Sequence, residues 1–363
     1  MKKPISLIPD LKDKAYIPFS SGQFENTNGI ILAGDIGGTK TNLSLFKLEK
    51  GSLISLLEKT FFTKEFASFG ALLRAFREEN TGLPQIDCIC LGVAGPVMEG
   101  KVTGTNFPWE ISEAELRKVT GIPLIFLIND MEANAYGLGT LDKNELVEIK
   151  PGAPISGNKA LISPGTGLGE AGIFWDGKFY RPFATEGGHC DLTPRNEQDI
   201  ALLKYLQNLY GHVSWERVIS GPGIYTLYQF LLNYRKEKEP AFLLEEFGQK
   251  PPAAVISKCA KNEKFPICRE TMELFFRYLA IETSQIALKF KATGGIYIGG
   301  GIIPKVLELL DRKKFADQFL QVNRMNSLLE KISISVITNE NSPMNGAAYY
   351  AALRLIERND NSR

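Results

Sequence analysis

At 363 residues the chain is longer than one hydrophobic core usually serves, so two domains with a ligand cleft between them are expected. Its 44% hydrophobic and 23% charged residues exclude a disordered or fibrous protein. A net charge of +1, with no block of five like charges, excludes a broad nucleic-acid or anionic-lipid surface, so the expected partner is a small molecule.

The apolar run after Met1-Lys2-Lys3 is broken by Pro4, Ser6 and Pro9, too short for a signal peptide or for the roughly 20 apolar residues of a membrane span. Cytoplasmic residence is therefore expected. Cys88, Cys90, Cys190, Cys259 and Cys268 form no C-x-x-C pair and only two histidines accompany them, which argues against a zinc site and a disulfide framework.

Residues 1–28 carry Pro, Ser, Gly and Asn without a sustained period and read as an N-terminal extension. An apolar run at 30–34 leads into the glycine-rich loop Asp35-Ile36-Gly37-Gly38-Thr39-Lys40-Thr41, followed by β-like runs at 42–46 and 53–57 around a Glu49-Lys50-Gly51 turn. This predicts an antiparallel meander opened by a phosphate-type loop. Short apolar runs at 86–93 and 123–128, flanked by helical patterns, suit buried parallel strands. The meander then recurs: residues 160–162, a second loop Ser163-Pro164-Gly165-Thr166-Gly167-Leu168-Gly169, a run at 171–175, an Asp176-Gly177 turn and Phe179-Tyr180. Helical spacing marks 197–209, 223–234 and 267–292, the last predicted to end on a glycine cap at Thr293-Gly294-Gly295. Residues 295–301 read as a strand and a glycine turn, and Ser342-Pro343 as the N-cap and first residue of a helix reaching about Arg358.

A glycine loop between two strands presents backbone N–H groups to an anion. One such loop alone reads as a tight turn, but two in matching contexts point to a nucleotide clamp. It is not a Walker A loop, because Thr39 precedes Lys40 and a strand follows; nor does the G-x-G-x-x-G at 167–172 open a helix. Asp35 suits Mg²⁺ held through water, Thr39 and Thr166 suit phosphate, and Lys40 either adds charge or is simply solvated.

Asp130 closes the run at 124–128 and should emerge at the carboxyl end of a strand, where open α/β sheets bind ligands; the plain alternative is a helix N-cap. Glu186-Gly187-Gly188-His189 sets polar side chains beside permissive glycines and suits a polyol, against the usual structural histidine. His212 lacks such neighbours and reads as structural. Glu216 alone reads equally well as a surface residue paired with Arg217.

Taken in order, the segments 32–41, Thr105-Asn106-Phe107-Pro108-Trp109, Asn129-Asp130, 164–169, 186–189, Glu216-Arg217-Val218-Ile219-Ser220-Gly221-Pro222-Gly223 and Gly299-Gly300-Gly301-Ile302 resemble the bacterial-type glucokinase family. The resemblance runs from about residue 30 to the C-terminal helix. It implies the two-domain α/β, actin-like (hexokinase-type) ATPase fold. Residues 29–138 plus 338–363 would form a small domain, and 139–337 a large one. It also implies ATP and Mg²⁺ as cofactors, glucose as substrate and a homodimer. By the same resemblance Asp130 is the general base for the sugar C6 hydroxyl, and Asn129, Glu186, His189 and Glu216, with Asn106, bind the other hydroxyls. Asp35, Gly37, Gly38 and Thr39 would hold phosphates and Mg²⁺, Gly165, Thr166 and Gly167 the phosphates from a second loop, and Gly299, Gly300 and Gly301 the adenosine. The cysteine-rich zinc motif of the ROK-type sugar kinases is missing. The rival readings are a kinase for another hexose or amino sugar, and a non-catalytic sugar sensor; a sensor would have lost the base or the phosphate loops.

Overall fold

The computed structural model describes residues 3–7, 17–20, 24–104, 107–153, 155–262 and 264–361. By its contacts the chain divides into one unit of Met1–Leu146, Ile173–Ala184 and Asn339–Arg363, and another of Val147–Gly172 and Thr185–Thr338. The turn after the third helix packs within the first unit: a β-carbon at Gly139 would lie 2.9 Å from the Phe19 ring.

In the first unit the strands are β1 (Ile5–Ser6), β2 (Gly29–Ile36), β3 (Lys40–Glu49), β4 (Ser52–Phe62), β5 (Cys88–Val93), β6 (Lys101–Thr103), β7 (Glu110–Ser112) and β8 (Leu124–Asn129). The helices are α1 (Phe69–Glu78), α2 (Glu113–Thr120) and α3 (Asp130–Gly137). The main sheet has the order β1-β4-β3-β2-β5-β8, and β6 and β7 form a separate hairpin. The meander β2-β3-β4 is antiparallel and turns at Lys50 and Gly51, both with positive φ. β5 and β8 join parallel to β2 and are almost entirely buried, as their uninterrupted apolar sequence requires.

The described part of the N-terminal extension is built into this unit. β1 pairs with the outer strand β4, and Phe19 and Phe24 are buried against Tyr349, with Phe19 also meeting Tyr136 on α3.

The second unit carries most of a second sheet, made of β9 (Leu146–Lys150), β10 (Lys159–Pro164), β11 (Leu168–Trp175), β12 (Tyr180–Thr185), β13 (Ile296–Ile298) and β14 (Ile334–Ile337) in the order β12-β11-β10-β13-β14-β9; of these strands, Leu146 and the stretch Ile173–Ala184 count with the first unit by their contacts. From the meander onward both sheets follow one plan, with the third, second, first, fourth and fifth strands side by side. The duplication expected from the two loops is therefore a duplication of topology. Its helices are α4 (Glu197–Tyr210), α5 (Gly221–Arg235), α6 (Ala241–Gln249), α7 (Pro252–Cys259), α8 (Pro266–Lys289), α9 (Ile303–Val306), α10 (Arg312–Phe319) and α11 (Asn326–Leu329). α8 is buried along most of its length at the centre of this core.

Two helix ends differ from expectation. α8 stops at Lys289, and the left-handed residue that closes it is Lys291 (φ 49°), with Ala292 N–H donating back to the Ala287 carbonyl at 3.0 Å. The final helix, α12 (Ser342–Asn361), takes Ser342 as its first residue, and the Ser342 hydroxyl is buried without a hydrogen-bond partner instead of capping. All five cysteines are free thiols. Among the described residues no helix is long and apolar enough to cross a membrane.

Candidate active site

The parallel run β2-β5-β8 aligns three strand ends in the first unit. Asp35 lies opposite Gly92, and Asn129 opposite Val93. A β-carbon at Gly92 would sit 3.9 Å from the Asp130 Cα and 3.6 Å from the Gly34 carbonyl, so Asp35 and Asp130 flank β5 at the same end of the sheet.

Asp130 is the half-buried first residue of α3. The capping role falls to Asn129, whose Oδ1 accepts the Met131 N–H at 2.8 Å; Asp130 Oδ1 accepts the same N–H at 2.9 Å. Asn129 is buried, and its Nδ2 donates to the Gly95 carbonyl at 3.1 Å. Its second amide hydrogen is what it has to offer a ligand.

Between β2 and β3 the Gly37 N–H donates to the Lys40 carbonyl at 3.0 Å, which closes a tight turn with Gly38 and Thr39 at its tip. Thr63 staples this turn: its N–H donates to the Thr39 carbonyl at 3.0 Å and its hydroxyl to the Gly37 carbonyl at 2.8 Å. Thr60 donates to Asn42 at 2.8 Å, and Asn42 donates a long bond of 3.4 Å to Asp35. Thr60, Asn42 and Thr63 escaped sequence reading because the turn contacts that give them meaning come from two neighbouring strands.

Burial pushes the Asp35 carboxyl above its usual range, and Asn42 only partly offsets this. A carboxylate drawn from water with one weak donor gains from a cation. Among the described residues no three His, Cys, Asp or Glu gather as an all-protein metal cage. One acidic residue beside a phosphate-type turn fits Mg²⁺, which keeps much of its water and takes one or two carboxylates with phosphate oxygens.

The second unit gathers the remaining candidates around β10 and β11. Gly165 N–H donates to the Gly167 carbonyl at 2.8 Å and leaves Thr166 exposed at the tip of the second loop. The Gly165 carbonyl accepts the Gly221 N–H at 2.9 Å, so the first turn of α5, capped by Ser220, borders this loop. The hairpin after the loop is as expected, but a helix N-terminus does stand beside it, contributed from more than 50 residues downstream in sequence. The turn Gly299–Gly301 packs on the same loop: Gly300 has φ 81°, and a β-carbon there would lie 2.2 Å from the Pro164 carbonyl.

Glu216 turns inward. Its Oε2 accepts the Leu168 N–H at 3.0 Å, while Arg217 stacks on the Tyr210 ring at 4.3 Å, so the surface pair of Glu216 with Arg217 does not form. Glu186 and His189 are exposed on a short turn closed by His189 N–H to the Glu186 carbonyl at 3.0 Å. That turn is tied to the Glu216 segment by Trp215 N–H donating to the Cys190 carbonyl at 3.0 Å. His212 bonds Asp191 at 2.7 Å on the surface, away from these roles. Asn106 lies outside the described residues.

A glucokinase family model matches residues 32–354. The glucokinase of Nostoc punctiforme is 35% identical over 339 residues, covering 89% of this chain and 99% of the relative. A crystal structure of glucokinase from an Antarctic psychrotroph, 31% identical, superposes with a TM-score of 0.75 over 89% of this chain and 98% of that one. A glucokinase from Balamuthia mandrillaris in complex with glucose, 21% identical, shares the fold with a TM-score of 0.75, over 89% of this chain and 94% of that one. With its duplicated α/β plan and its two glycine turns, the chain belongs to the glucokinase family and has the actin-like, hexokinase-type fold.

Proposed function

We propose that this chain transfers the γ-phosphoryl group of ATP to the C6 hydroxyl of glucose. What carries the reading is the pairing of Asp35 and Asp130 at one end of the β2-β5-β8 sheet, within a family of glucokinases. Asp130 accepts the C6 hydroxyl proton as the O6–P bond forms, and the bond from γ-phosphorus to the β–γ bridging oxygen breaks to release ADP. Asn129, Glu186, His189 and Glu216, with Asn106, hold the other hydroxyls. Gly37, Gly38 and Thr39 hold phosphate oxygens, as do Gly165, Thr166 and Gly167, and Gly299–Gly301 approach the adenosine. Asp35 would hold Mg²⁺, which when bound offsets phosphate charge. A homodimeric, cytoplasmic enzyme belongs to the same reading.

Phosphoryl transfer has a loose transition state, so positioning and charge neutralisation supply most of the acceleration. The test is ADP release over a panel of hexoses and amino sugars, repeated with Asp130→Asn. Glucose should give the highest kcat/KM, and the variant should lose about 10²–10⁴-fold in kcat with KM for glucose within a few-fold. No ADP release with any hexose would favour a sugar sensor, and a fully active variant would remove Asp130 as the base.

A further inference from the structure

Glu170 is an acidic residue that the proposed reaction does not use, and it lies directly beneath the sugar-binding turn. It stands on β11 two residues beyond Leu168 and is 1% exposed. Its carbonyl accepts the Thr185 hydroxyl at 3.0 Å, and that hydroxyl in turn accepts the Gly187 N–H at 3.2 Å. Its carboxyl reaches the same turn: a β-carbon at Gly187 would lie 1.9 Å from Glu170 Oε2. Oε1 is buried without a hydrogen-bond partner, and so is Oε2 of Glu282 on α8.

We propose that Glu170 is a positioning residue for sugar binding, acting through Gly187 and Thr185 on Glu186 and His189 and coupled to Glu282 and Lys289 of α8. The proposal rests on Glu186 and His189 being sugar ligands, and deepens that reading.

The charges facing the pair decide which carboxyl ionises. Lys289 donates to Glu282 at 3.4 Å, and Arg195 also acts on Glu282. Arg277 is engaged by Asp199 through bonds of 2.8 and 2.7 Å. Burial raises Glu282 to about 7 while Lys289 and Arg195 pull it back; burial and then the charge of Glu282 push Glu170 up to about 8. Lys289 pairs with Glu282, whereas Glu170 Oε1 has no partner, so Glu282 is the better placed of the two to carry a charge and Glu170 to hold a proton. Ionising Glu170 sets a second buried negative charge against the Glu186–His189 turn, and the turn shifts.

The test is the pH dependence of KM for glucose in the intact enzyme. Wild-type KM should rise roughly tenfold between pH 7 and about 9, as expected for one ionisation, with kcat changing far less. Glu170→Gln should bring that ratio close to one. Thr185→Val, which removes the link from Glu170 to Gly187, should raise KM at constant kcat. A wild-type profile flat to about pH 9, a Glu170→Gln profile that keeps the alkaline rise, or an unchanged KM in Thr185→Val would each overturn the positioning role. Glu186→Ala and His189→Ala separate the two readings: if they raise KM while Glu170→Gln follows wild type, only the positioning role fails; if they leave KM unchanged, the sugar assignment itself fails.

Discussion

Glu216 is proposed as a sugar ligand, and its carboxylate also contacts the second glycine loop. Its Oε2 accepts the Leu168 N–H, and a β-carbon at Gly167 would lie 2.4 Å from that same oxygen, so the carboxylate braces the second glycine loop. Removing it orphans a backbone donor next to the loop and removes a charged hydrogen bond worth about 1.5–3 kcal/mol. Glu216→Ala should therefore raise KM for both ATP and glucose, each by roughly tenfold or more, as measured by initial rates with the other substrate saturating. A rise confined to one substrate would contradict the bracing role. The chemistry of this residue was only half legible in the sequence. The order of motifs singled out Glu216, but its partner lies 48 residues away, and by itself the segment reads equally well as a surface helix with Arg217. Asp130 was easier to read, because an apolar strand ending in Asn-Asp places a carboxylate at the strand end from local information alone.

Among the elements, α3 and α12 bear most on the proposed reaction, because α3 begins at Asp130, the proposed base. The two helices meet backbone to backbone: a β-carbon at Gly346 would lie 1.8 Å from the Ala133 carbonyl, and one at Gly137 would lie 2.1 Å from the Ser342 carbonyl. Gly346→Ala should push α12 off α3, costing about 1–3 kcal/mol. Calorimetry should show a fall in melting temperature of several degrees, and kcat should drop along with it because α3, which begins at the proposed base Asp130, loses its support. A loss of stability at constant kcat would mean that Asp130 is held by β8 and not by this contact. The doubled meander was legible because a glycine loop opens each copy and a glycine turn, Lys50-Gly51 or Asp176-Gly177, closes a hairpin in each. Strands β9 and β14 and helices α6, α7 and α10 were not marked by any such local signal, and they take their form from packing in the second core. The expected glycine cap of α8 failed for a related reason: Lys291 adopts the left-handed conformation, while Gly294 serves the approach of the Gly157 carbonyl, 2.3 Å from where its β-carbon would stand.

At the scale of the whole molecule, the buried acids should make stability fall as pH rises. Glu170 and Glu282 hold their protons in the folded chain up to about 8 and about 7, against an ordinary glutamate value of 4.5. Between those values the unfolded chain binds fewer protons than the folded one, so unfolding becomes easier with each step in pH, by up to about 1.4 kcal/mol per unit for each such group. The contribution is fully present below 4.5 and is lost as pH rises through the folded values. Asp35 and Glu132, whose carboxyls burial also pushes up, act in the same direction. Lys159, lowered to about 8, acts in the opposite direction but only above that pH, where the unfolded chain binds the extra proton. Melting temperatures of wild type and Glu170→Gln across pH 5 to about 8 isolate the contribution of Glu170. The variant cannot ionise at that position, so its curve should decline less steeply and lie above wild type at the alkaline end by several degrees. Parallel curves would mean that Glu170 titrates as an ordinary exposed carboxylate, and a crossing in the opposite sense would mean that its charged form stabilises the fold.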